Sequence, residues 1–161
     1  MPFQVQRASL MQPALSASEL ERYLHANIPL SAGMQVQVRT AALDRVELFA
    51  PLTPNINHRE TAFGGSISAL ATLAAWSLLS LRLRSIGHTA RLVIQRNTVN
   101  YEQAIRGDFV ARATMNDEAP WLRFVSMLER RGRARISLSA QVISDGRTAA
   151  TFEGEFVALE S

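Results

Sequence analysis

Cysteine is missing from these 161 residues, and so is lysine: all 17 cationic side chains are arginine. Without cysteine there can be no disulfide, thiolate nucleophile, iron–sulfur cluster or cysteine-based zinc site. Histidine is scarce, and His25, His58 and His88 share no metal-ligand spacing, so no metal is expected. Aromatic residues make up 7% of the chain. No aromatic platform accompanies the arginines, and the net charge is only +3, which argues against nucleic acid as a partner.

What is present is ordinary globular composition, 47% hydrophobic and 19% charged, enough for one core and too short for two full domains. Residues 1–161 read as a single domain, with 1–30 as a lead-in and short helix. Residues 1–18 carry only Arg7 as a charge and lack the continuous apolar core of a secretory signal, so a cytoplasmic location is expected. Residues 63–81 contain no charge and are about long enough to span a bilayer. Their small and hydroxylated residues, followed by soluble-looking strands, favour a helix buried in a protein core, and no membrane partner is expected.

Periodicity sets the order of elements. Ser16 or Ser18 opens an amphipathic helix with Leu20, Tyr23 and Leu24 on one face and Pro29 as its stop. Residues 34–39 and 45–50 alternate with period 2 and read as an antiparallel pair joined near Asp44. Residues 51–63 form an aperiodic loop, and Gly64-Gly65 leads into a helix over roughly 66–84 that ends at Gly87. From Thr89 onward the chain reads as strand throughout: 91–101, 108–115, 121–130, 133–144 and 148–159. Asp145-Gly146 signals a type I′ hairpin between the last two.

A helix apolar on nearly every face needs cover on nearly every face. A curved antiparallel sheet wrapped around one long apolar helix supplies it within one domain. The expected class is therefore α+β with the hotdog arrangement.

One segment is more specific. Pro54, Asn55, Asn57, Thr61, Phe63, Gly64, Gly65 and Ser66, followed by an apolar helix bearing Trp76, resemble a family of hotdog thioesterases whose members occur alone or behind an acetyltransferase domain. Glu60 departs from that pattern, where glycine is common. In the wider acyl-CoA thioesterase branch the related pattern is an asparagine, five residues, then His-Gly-Gly and an acid on the following helix. Here Asn57 matches, Phe63 stands in the histidine's place, and Thr72 stands where the acid is common. The resemblance implies hydrolysis of acyl-CoA or acyl-carrier-protein thioesters, with no cofactor beyond the CoA of the substrate. It also implies a homodimer or higher homo-oligomer, in which this loop faces residues 97–101 of a partner subunit.

Thioester hydrolysis needs an activated water and donors aimed at the oxyanion that forms on the carbonyl. A helix N-terminus supplies such donors, and glycine permits close approach. Gly65 is the expected oxyanion donor, with Gly64, Phe63 and Ser66 around the substrate; a tight loop-to-helix junction is the structural alternative. Asn57 suits either orienting a water or carbonyl or forming an Asx-turn, and Asn55 suits holding the loop. Glu60 and His58 are the candidate bases, each with a solvated loop side chain as its alternative. Thr72 could position water or bond the preceding helical turn. Arg59, together with Arg82, Arg84 and the cluster Arg130, Arg131, Arg133 and Arg135, offers guanidinium groups for CoA phosphates.

With no acid on the helix, a non-catalytic acyl-CoA or lipid-binding domain is the rival reading. A hydratase or dehydratase is weaker still, since a suitably placed Asp and His are both lacking.

Overall fold

The computed structural model describes residues 15–160, so most of the expected lead-in lies outside the described residues. Helix α1 (Ala17–Asn27) is capped by Ser16, whose hydroxyl accepts from the Glu19 N–H. Pro29 does end α1, but it also starts a short helix, α2 (Pro29–Gly33), because proline is well suited to a first helical turn. Strands β1 (Gln37–Ala41) and β2 (Arg45–Ala50) follow, paired antiparallel as expected. Met34, read as part of the first strand, instead closes α2.

The apolar helix α3 runs over Gly64–Ser85, two residues earlier than expected, so both glycines belong to its first turn. It ends with Gly87 at φ +76°, the left-handed turn for which glycine is suited. After it come β3 (Arg91–Tyr101), β4 (Phe109–Thr114), α4 (Ala119–Arg131), β5 (Arg133–Ser144) and β6 (Arg147–Leu159). The Asp145-Gly146 turn has φ +52° and +70°, the type I′ pattern.

Helix α4 corrects the strand expected over 121–130. Its buried residues are Trp121, Phe124 and Leu128, a helical spacing that packs against β5. Pro120 in its first turn and Gly132 in the left-handed conformation just past its end complete the helix signature.

The six strands form one antiparallel sheet in the order β1-β2-β4-β5-β6-β3. It wraps α3, which contacts β2 through β6 and buries Leu70, Leu78, Leu79 and Leu81 completely. At about 2 kcal/mol per buried leucine, tertiary burial rather than amphipathicity holds this helix in place. Length and apolarity alone would let α3 cross a membrane, but most of it is buried inside the fold. On the concave face, Gly154 makes room for the Phe152 and Phe156 rings, which a Cβ there would strike.

Arg82 is buried at one end of α3, donating to the Leu43 carbonyl and Glu118 and lying 4.7 Å over the Trp121 ring. That takes it out of the phosphate-binding candidates. Arg84 stacks on Tyr23, which in turn stacks with Trp76.

Candidate functional site

The loop before α3 is organised by its two asparagines. Asn55 is buried, and its Nδ2 donates to the carbonyls of Met34 and Pro51. Its backbone carbonyl accepts from the Phe63 N–H, which sets the chain's approach to the helix. Asn57 Oδ1 accepts from the Arg59 N–H at 2.8 Å and the Thr61 N–H at 3.1 Å, while Nδ2 reaches Thr61 Oγ1 and the Ala62 carbonyl. Every polar atom of this amide is engaged within the loop, as an Asx-turn requires.

Between Asn57 and Thr61 the turn exposes His58, Arg59 and Glu60. Glu60 has φ +62°, the left-handed conformation that explains why the related pattern favours glycine there.

The loop delivers the chain to α3 without a side-chain cap. The N–H groups of Ser66 and Ile67 both donate to the Phe63 carbonyl. Those of Gly64 and Gly65 have no acceptor among the described residues, leaving two donors at the positive end of a 22-residue helix. The Phe63 ring, 57% exposed, folds back over Gly65 and fills the space a Cβ would need. Ser66 and Thr72 are half-buried, and Thr72 donates to the Ser68 carbonyl one turn back, a self-contained bond within the helix.

Beside Gly64 lies an open cleft of about 270 Å³, bounded by Gly64 and Ile67 from α3 and by Tyr101, Glu102 and Gln103 at the end of β3; Gly65 follows Gly64 in the chain but does not line it. Tyr101 Oη donates to the Gly64 carbonyl at 3.1 Å. Within one chain, therefore, the end of β3 already meets the start of α3. The Ala62 N–H donates to the Ile105 carbonyl, tying the two walls together.

Glu102 is the carboxylate that reading the sequence missed. It is the first acid after Glu60, but only folding brings the end of β3 to the start of α3. Neither Glu60 nor His58 lines the cleft.

A curved antiparallel sheet around a central helix, with free glycine N–H groups at that helix's start, defines a protein of the hotdog class. Residues 17–160 match the family described as "Putative thioesterase (yiiD_Cterm)", and the chain belongs to that family. Among solved structures it is similar to a protein of unknown function from Chlorobaculum tepidum. The identity is 28%, covering 96% of this chain and 99% of that one, with a TM-score of 0.88. It is also similar to a structure from Shewanella oneidensis described as a putative thioesterase, at 26% identity over 89% of this chain and 96% of that one (TM-score 0.79). A thioesterase from Haemophilus influenzae shares the fold at 14% identity, with a TM-score of 0.73 over 94% of this chain and 95% of that one.

Proposed function

We propose that this protein hydrolyses acyl thioesters of CoA or an acyl-carrier protein, in the cytoplasm and as a homodimer. The observation that carries this reading is the pair of unengaged N–H groups on Gly64 and Gly65 at the start of α3, where Gly64 lines a cleft that also holds Glu102. Water attacks the thioester carbonyl, and Glu102 takes its proton. The carbonyl oxygen becomes an oxyanion that accepts from Gly65, with Gly64 as second donor, where the helix dipole adds to both. When the C–S bond breaks, Glu102 returns the proton to the leaving thiolate, giving a carboxylic acid and a free thiol.

In this scheme Asn57 holds the loop that presents the glycines, and Asn55 anchors the loop to the core. Phe63, beside Gly65, and Ser66 flank the substrate. Glu60, His58 and Arg59 stay on the rim, and Thr72 serves the helix.

Homodimerisation is supported by β3, an edge strand of 11 residues whose Val93 and Tyr101 are half-exposed or more. A long open edge of this kind invites pairing with another strand. Light scattering, with and without Val93→Lys, tests it: the variant should be the smaller species.

The activity is tested by thiol release from short, medium, long and aromatic acyl-CoAs and from acyl-carrier protein, with Gly65→Ala and Glu102→Gln as controls. Release that both variants lower at least tenfold supports the hydrolase. Acyl-CoA that raises the melting temperature without any thiol release would instead favour a binding domain, the reading that the absence of a carboxylate on α3 favours.

A further inference from the structure

A recess of about 460 Å³ is formed by the loop after β3 and the β5–β6 hairpin, and it is lined by Arg106 and Arg147. It shares Gln103 and Ala104 with the cleft at the start of α3. The two spaces are therefore neighbours on this stretch of chain.

The two arginines differ from four that are ion-paired in this fold. Arg45 and Arg112 meet Glu47, Arg82 meets Glu118, and Arg135 meets Glu155. Arg106 and Arg147 are exposed and have neither an ion pair nor a hydrogen bond to a side chain among the described residues. Two arginines without carboxylate partners, lining one recess of small-ligand size, suit phosphate oxygens, which guanidinium groups grip in bidentate fashion.

Two acids share the recess. Asp108 accepts the Leu52 N–H through Oδ1, and Asp145 lies in the hairpin turn. Mixed charge of this kind is poor for the acidic face of a carrier protein, which would meet both aspartates and Glu102. It suits a nucleotide, whose phosphates are acceptors and whose exocyclic amine is a donor.

We infer that Arg106 and Arg147 hold the phosphates of the nucleotide end of an acyl-CoA, whose pantetheine arm then passes over Gln103 and Ala104 to bring the thioester to the start of α3. This rests on the thioesterase reading, and it selects CoA over a carrier protein as the form of substrate.

The test compares kcat/KM on one acyl group carried by CoA, by pantetheine alone and by acyl-carrier protein, in the wild type and in Arg106→Ala/Arg147→Ala. A second measurement is the rise in melting temperature caused by CoA and by 3′-dephospho-CoA. The double variant should lower the ratio of kcat/KM for acyl-CoA over acyl-pantetheine at least tenfold, through KM. It should also remove the thermal shift given by CoA.

An unchanged ratio together with an unchanged thermal shift overturns the subsite, while turnover of acyl-pantetheine by the wild type leaves the hydrolase standing. A loss confined to the carrier-linked substrate also overturns it, in favour of protein docking. If no thioester is hydrolysed yet CoA still shifts the melting temperature through these arginines, the subsite stands and the hydrolase reading falls.

Discussion

The Phe63 ring occupies the space that a Cβ on Gly65 would fill, with its Cζ 2.9 Å from that position. Gly65→Ala therefore displaces the ring. The ring is more than half exposed and swings away cheaply, while alanine improves helix propensity by up to about 1 kcal/mol. The fold should survive with a melting temperature close to that of the wild type. Turnover should fall at least tenfold, because the new methyl projects beside the N–H that is to receive the oxyanion. Phe63→Ala in the same chain makes room for the methyl and should not restore turnover. Recovery in that double variant would attribute the loss to the displaced ring, and wild-type rates in Gly65→Ala alone would remove the need for close backbone approach.

Glu102 stands at the cleft, whereas Glu60 and His58 stand on the turn outside it. A positioned general base contributes about 10²–10⁴ in rate. Glu102→Gln keeps the shape and should lower kcat within that range, with KM changed less than about threefold. Its exposure predicts little change in melting temperature. Glu60→Ala and His58→Ala should each keep most of the wild-type kcat. Steady-state kinetics on the four proteins checks the assignment; a large kcat loss in Glu60→Ala with Glu102→Gln unaffected would reverse it.

Asn57 is read by its hydrogen bonds. Removing its amide leaves the Arg59 and Thr61 N–H groups without their acceptor, a loss of about 1–3 kcal/mol where water cannot fully replace it. Asn57→Ala should lower the melting temperature by roughly 4–8 °C, taking about 2 kcal/mol and the usual sensitivity of a chain this size. Asn57→Asp keeps Oδ1 and should recover at least half of that loss, and turnover with it. Equal loss of turnover in both variants, with melting unchanged, would mean that the amide touches the substrate.

The hotdog architecture was legible because its central helix and its alternating strands are both long and differ in period. Helix α4 was not legible for a physical reason. Residues 121–130 carry apolar side chains at 121, 122, 124, 125, 127 and 128, too dense to alternate and flanked by true strands, so neighbourhood outweighed the helical spacing of 121, 124 and 128. Pro120 and Gly132 were the local signals that would have corrected it. The loop-to-helix motif was legible down to single residues, because glycine, asparagine and their spacing encode local geometry. Glu102 was not, since its place beside Gly64 depends on how β3 lies along the sheet, and no local pattern carries that.

Glu60 occupies the left-handed region at φ +62° in an exposed turn. For a residue with a Cβ this conformation costs about 1–2 kcal/mol, and glycine removes that cost while adding freedom to the unfolded chain. The two effects oppose each other, and strain relief is the larger. Glu60→Gly should therefore raise stability by up to about 1 kcal/mol, or roughly 2–4 °C in melting temperature. Glu60→Ala, which keeps the Cβ, should give no such gain. Since the Glu60 carboxylate lies outside the cleft, Glu60→Gly should hydrolyse thioesters as fast as the wild type. A melting temperature that falls in Glu60→Gly would show that the carboxylate itself holds the turn, and the departure from glycine would then be a stabilising one.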